Sequence, residues 1–128
     1  MMDHVRKIKF DKVVLDCKDP QSLADFYVKL LGWQKGYDKD GFVIIGSASS
    51  NVDIGFQKNP DYVPPVWPEK DGLQQQMLHL DFAVDAADQK SWVELAVSLG
   101  AKVAEEQYSE HWTVMLDPQG HPFCFDSM

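Results

Sequence analysis

No part of this chain is apolar for long, and positive charge is scarce. Hydrophobic runs such as Phe42–Ile45 fall far short of the ~20 residues that cross a bilayer, so no membrane span is expected. Lysine and arginine number 12 against 20 aspartates and glutamates, giving a formal net charge of -8 and a pI near 4.7. Nucleic acids and anionic lipid surfaces recruit the opposite balance, so neither is an expected partner. Cysteine is nearly absent, with Cys17 and Cys124 alone. Cys17 falls on the apolar side of its strand, which reads as a buried, reduced thiol. The opening MMDHVRKIKF has no apolar signal core, so export is not expected and a cytoplasmic protein is. Met1 to Arg6 reads as a ragged start.

What the chain does have is a core and a repeated plan. Hydrophobic residues make up 45% and aromatic residues 12% of 128 positions, enough for one domain or two intimately packed halves. The clearest stretch is Lys12 to Trp33. Val13, Leu15 and Cys17 alternate with Lys12, Val14 and Asp16, the period of a half-buried strand. Asp19-Pro20 then supplies a cap and a first helical residue. Leu23, Phe26, Tyr27, Leu30 and Leu31 make one apolar stripe, and Gly32 ends the helix. The plan returns in MLHLDFAVDAADQKSWVELAVSLGA. Leu78, Leu80, Phe82 and Val84 alternate with His79, Asp81 and Ala83, Asp85 or Asp88 is the cap, and Trp92, Leu95, Ala96 and Leu99 are the stripe before Gly100. Lys12 stands where His79 stands roughly 67 residues later, as in a duplicated unit.

The remaining strands are predicted at 33–37, 42–46, 52–57, 102–107, 112–116 and 122–126. Asp40-Gly41 is the hairpin turn of the first half, and Asp117-Pro118-Gln119-Gly120 a tight turn in the second. Each half thus reads βαβββ: residues 1–57 as the first module, 58–77 as a linker, 78–128 as the second module. Pro60, Pro64, Pro65 and Pro68 exclude helix and central strand from the linker. A loop of this length either only connects or also works; here the second option is a lid carrying Tyr62 and Trp67.

Four strands carry polar faces: Lys12 and Asp16; Asp53 and Gln57; His79 and Asp81; Cys124 and Asp126. Two helices cover one face of a sheet, which leaves the polar face for solvent or ligand. The expected architecture is α+β: two tandem βαβββ modules forming a curved mixed sheet around a cleft, with one helix per module on the outer face.

KVVLDCKDP followed by FYVKLLGW, the HLDFAV strand and the ending WTVMLDPQGHPFCF resemble the vicinal oxygen chelate superfamily. Its members include glyoxalase I, bleomycin-resistance proteins, extradiol dioxygenases and fosfomycin-resistance enzymes; the ending is most similar to its glyoxalase-like domain proteins. The resemblance implies a metal quartet, one ligand from the first and last strands of each half. Those positions fall on Lys12, Asp53, His79 and Cys124. Lys12 replaces a ligand with an ammonium that has no free lone pair, and Asp53 with His79 is too few for a firm site. The chelate is read as lost. The alternative is one divalent ion (Zn, Ni, Mn or Fe) held through His79 and Asp53.

The resemblance thus implies a homodimer that binds a small organic molecule, with Lys12, Asp16, Asp53, Gln57, His79, Asp81, Trp112 and Cys124 as contacts. Whether it is an enzyme stays open. The alternative function is a metal-assisted, glyoxalase I-like lyase or isomerase acting next to a carbonyl, and the third is an extradiol-type dioxygenase. His111 and His121 are expected to be solvated, His121 with a turn role, and Cys124 is expected to be inert.

Overall fold

The computed structural model describes residues 7–128; the expected ragged start at Met1–Arg6 lies outside them. The chain runs β1 (Lys12–Cys17), α1 (Pro20–Leu31), β2 (Gln34–Lys39), β3 (Phe42–Gly46), β4 (Asp53–Lys58), β5 (Leu80–Val84), a short 3-10 turn (Ala86–Asp88), α2 (Gln89–Ser98), β6 (Lys102–Val103), β7 (Trp112–Leu116) and β8 (Pro122–Ser127). The strands bond as two four-stranded mixed sheets, ordered β1-β4-β3-β2 and β5-β8-β7-β6. The fold is therefore α+β, built from two tandem βαβββ modules, each with its own open sheet rather than a share of one continuous sheet. Within each module the first and last strands are parallel, with Lys12 opposite Asp53 and Asp81 opposite Cys124.

Local chemistry accounts for the first module. The Asp19 carboxylate accepts from the Ser22 amide at 3.2 Å, Pro20 opens the helix, and Gly32 closes it at φ 70°. Asp40 and Gly41 both have positive φ, 56° and 76°, the turn that matches strand twist in a two-residue hairpin. Leu23, Phe26, Tyr27 and Leu30 are buried as the stripe requires.

The second module departs from its expected outline in three places. Neither Asp85 nor Asp88 caps through its side chain, and α2 begins at Gln89 behind the 3-10 turn. The Gln89 amide instead bonds the Phe125 carbonyl at 2.8 Å, which ties the helix start to β8. Only Ala96 of α2 is buried, Trp92, Val93 and Leu99 pack partly against the core, and Leu95 is exposed. β6 stops at Val103 instead of reaching Gln107. The cause is Gln107 itself: its side-chain amide accepts from the Val114 N–H and donates to the Val114 carbonyl, both at 2.8 Å. A side chain occupies the place of a ladder partner, so the strand ends.

One core spans both modules. Tyr27 stacks on Phe56 with ring centroids 5.6 Å apart and meets Phe123 edge-on at 6.0 Å. Helix α1 thus binds the last strand of both sheets. On β8 the alternation sorts side chains: Phe123 and Phe125 enter this core, whereas Cys124 joins a small cluster with Ala104 and Val114 under Trp67. The segment after β4 therefore does more than connect. Its Tyr62 hydroxyl donates to the Gln119 carbonyl at 2.9 Å, and its Trp67 ring N–H to the Glu106 carbonyl at 3.3 Å. It passes so close to the Asp117–Gly120 turn that a Cβ on Gly120 would lie 2.9 Å from Pro64 Cβ. Among the described residues, no helix is long and apolar enough to cross a membrane.

Candidate functional site

The open face of the second sheet forms a cavity of about 370 Å³. Strand register builds its floor. Asp81 and Val114 flank Cys124 on one rung, and Trp112 faces Asp126 across the next antiparallel pair. Alternation puts these side chains on the face away from the aromatic core. His79, just before β5, places Nε2 3.3 Å from the Asp81 carboxylate. Trp67 and Tyr108 complete the wall, their rings edge to face with centroids 5.8 Å apart.

Four of the eight residues expected to touch a ligand meet here: His79, Asp81, Trp112 and Cys124. The other four lie on the first module's surface. The Lys12 ammonium is held by the Asp11 carboxylate. Asp53 accepts from the Ser50 hydroxyl at 3.2 Å and borders a separate hollow beside Lys35 and Ala48. Asp16 accepts from the Asn59 side-chain amide at 3.0 Å and lines a cavity of about 350 Å³ under Tyr62. Gln57 is exposed on β4. Tyr108 is the wall residue absent from the sequence reading. It follows a strand that ends early, so periodicity carries no sign of it.

The cavity's electrostatics are acidic. Burial, and then the neighbouring Asp81 charge, raise the Asp126 carboxyl. Burial, followed by the charges of Asp81 and Asp126, pushes the Cys124 thiol up to about 12. A thiol so protonated is a poor nucleophile near neutral pH.

The metal quartet implied by resemblance is not assembled, since Lys12 and Asp53 do not line this cavity. His79, Asp81 and Cys124 do present ligand atoms within 4.8 Å of one another. As donors they are one imidazole, one carboxylate and one buried thiol, with a single oxygen ligand among them. Hard divalent ions favour oxygen-rich sets, and these residues do not fit one.

His121 also departs from its expected, solvated setting. Its side chain is 13% exposed rather than solvated, with Nδ1 2.9 Å from Asp117 Oδ2. Its Nε2 lies 2.7 Å from the Asp16 carbonyl, and its ring stacks on Tyr62 at 5.0 Å. Both ring nitrogens face acceptors, so both must donate. Burial opposes the resulting charge, but the Asp117 hydrogen bond and charge and the Asp16 carbonyl outweigh it, and the pKa rises above 6.5. A carboxylate four residues before a histidine, within one turn, was the available sign. A group raised on folding stabilises fully below its unfolded pKa, and this contribution fades as pH climbs through the folded value. Urea unfolding free energy is thus expected to fall as pH rises above 6.5, and this dependence is expected to flatten in His121→Gln. Equal slopes in both proteins would refute the charge assignment.

The comparisons place this geometry among known folds. The family model described as "Glyoxalase-like domain" matches residues 12–125. The crystal structure of a glyoxalase/bleomycin resistance protein/dioxygenase family enzyme from Burkholderia phytofirmans PsJN aligns with a TM-score of 0.72 at 20% identity, over 94% of this chain and 98% of that one. A fosfomycin resistance protein, FosX, from Listeria monocytogenes, complexed with Mn(II) and sulfate, aligns with a TM-score of 0.67 at 14% identity, over 99% and 91%. At such identities the likeness is one of fold. No curated protein matches the chain. The extent of the family match settles membership: the chain belongs to the glyoxalase-like domain family of the vicinal oxygen chelate superfamily.

Proposed function

We propose that the chain binds a small organic molecule, without a metal, in the cavity on the open face of the second sheet. The observation that carries this reading is the wall itself: Trp67, Tyr108 and Trp112 around His79, Asp81 and Cys124 in about 370 Å³. Apolar walls with a few convergent polar groups are what small-ligand sites have in common. Trp67 belongs to the linker, so the linker acts here as a cover. Lys12, Asp16, Asp53 and Gln57 are left out of this contact set because they line other surfaces. The reading keeps the cytoplasmic setting and the homodimer expected from sequence.

A thermal-shift screen of small planar organic molecules tests it. Hits are expected to lose affinity by roughly tenfold in Trp112→Ala and in Trp67→Ala, the scale of one good aromatic contact. Hits that bind both variants as well as the parent would place the ligand elsewhere and reject the site. Elemental analysis of protein purified without chelators is expected to find no stoichiometric metal. Stoichiometric metal that disappears in His79→Ala would favour the lyase or isomerase reading instead.

A further inference from the structure

We propose that this cavity selects an organic cation, an amine or quaternary ammonium carried on an apolar body. The inference rests on the ligand-binding reading above and names the chemical class of its ligand. Two carboxylates, Asp81 and Asp126, converge on the cavity, and among the described residues no lysine or arginine lines it. Register sets them on one face of neighbouring strands, Asp81 opposite Cys124 and Asp126 two residues further along β8. Among the described residues the one group able to offset them is His79, which lies 3.3 Å from Asp81, so two carboxylates face at most one positive charge. The thiol beside them is neutral. An anionic ligand entering here would meet two like charges and, among the described residues, no fixed cation, because the Lys12 ammonium is engaged by Asp11 on the other module.

The walls favour the same sign. Trp67, Tyr108 and Trp112 border the cavity, and indole and phenol faces carry the negative end of a quadrupole that attracts ammonium groups. Tryptophan is the strongest of these, and two are present. Aromatic faces with carboxylates behind them can accept a cation while leaving room for its hydrocarbon part. A net charge of -8 over the chain adds long-range attraction of the same sign.

Isothermal titration of the full chain with (3-hydroxyphenyl)trimethylammonium, its neutral isostere 3-tert-butylphenol, and the anion 3-hydroxybenzoate tests the inference. The cation is expected to bind at least about tenfold more tightly than the isostere, and the anion not to bind measurably. Asp81→Asn/Asp126→Asn, which keeps shape and removes charge, is expected to cut cation affinity about tenfold and leave the isostere within about twofold. Should that double variant fail to fold, the parent chain serves alone: raising salt from about 0.05 to 0.5 M is expected to weaken the cation and not the isostere. Equal affinity for cation and isostere would overturn the inference while leaving small-molecule binding intact. No cation binding, or cation selectivity that survives both the double variant and added salt, would overturn it as well. The tryptophan variants decide the broader reading separately.

Discussion

Replacing Asp117 by alanine is expected to lower the unfolding free energy by about 3–5 kcal/mol, the range for removing one partner of a buried charge pair. The carboxylate is 4% exposed and serves four donors. The Tyr27 hydroxyl donates to Oδ2 at 2.8 Å, the Gln119 and His121 amides donate to Oδ1 at 2.9 and 3.0 Å, and the His121 ring pairs with it. Burial, reinforced by the Asp117 charge, holds the Tyr27 phenol protonated, so it remains a donor at any ordinary pH. Alanine would strand that hydroxyl in a fully buried site and leave the imidazolium without its counter-charge. Each stranded group costs about 1–3 kcal/mol, against a total of only ~5–15 kcal/mol for most domains. Urea titration followed by both fluorescence and far-UV signals measures the loss. Tyr27→Phe removes a single donor and is expected to cost about 1 kcal/mol. A loss below about 1 kcal/mol in Asp117→Ala would mean that water reaches these groups and that the junction is not sealed.

Phe123→Ala is expected to cost a comparable amount, about 3–5 kcal/mol, through lost transfer energy and the void left behind. Phe123 is fully buried. Its ring lies 6.0 Å from those of Phe26, Tyr27 and Phe82 and 5.5 Å from that of Phe125. Two of these partners come from α1 and two from the second sheet, so the void would open between modules rather than inside one. Phe123→Leu keeps most of the volume and is expected to cost less than half as much. If alanine and leucine cost the same, edge-to-face ring contacts rather than volume would dominate at this position.

The parts of this architecture that were legible share one property: a few neighbouring residues decide them. Asp19, Pro20 and Gly32 bound α1, and Asp40-Gly41 sets the β2–β3 hairpin, each by its own cap or turn geometry. The β6 end was not legible, because the Gln107 side chain, seven residues before its backbone partner, supplants the ladder only once Val114 is in place. The α2 stripe was misassigned between Leu95 and Val93 because the helix is thinly buried, so helical spacing alone could not say which positions face inward. For the candidate site, alternation identified the open faces of the strands. It could not say that each module would keep its own sheet, which is why Lys12 and Asp53 stand apart from His79 and Cys124. Of the aromatic wall, Trp67 and Trp112 carry a sequence signal, one as a lid residue and one as a strand contact, whereas Tyr108 lies in the loop beyond β6, where no periodicity guides a reader.

The Gln119 side chain reaches back to the start of α1. Its Oε1 accepts from the Lys18 and Asp19 amides at 2.8 and 3.1 Å, and its Nε2 donates to the Asp19 carbonyl at 2.6 Å. These partners lie about a hundred positions apart in the chain. During translation, in which earlier segments are free to fold first, the leading half leaves the ribosome with that helix entrance still hydrated. It gains its last bonds only when the trailing half has been made, so the nascent protein matures at its beginning and its end together.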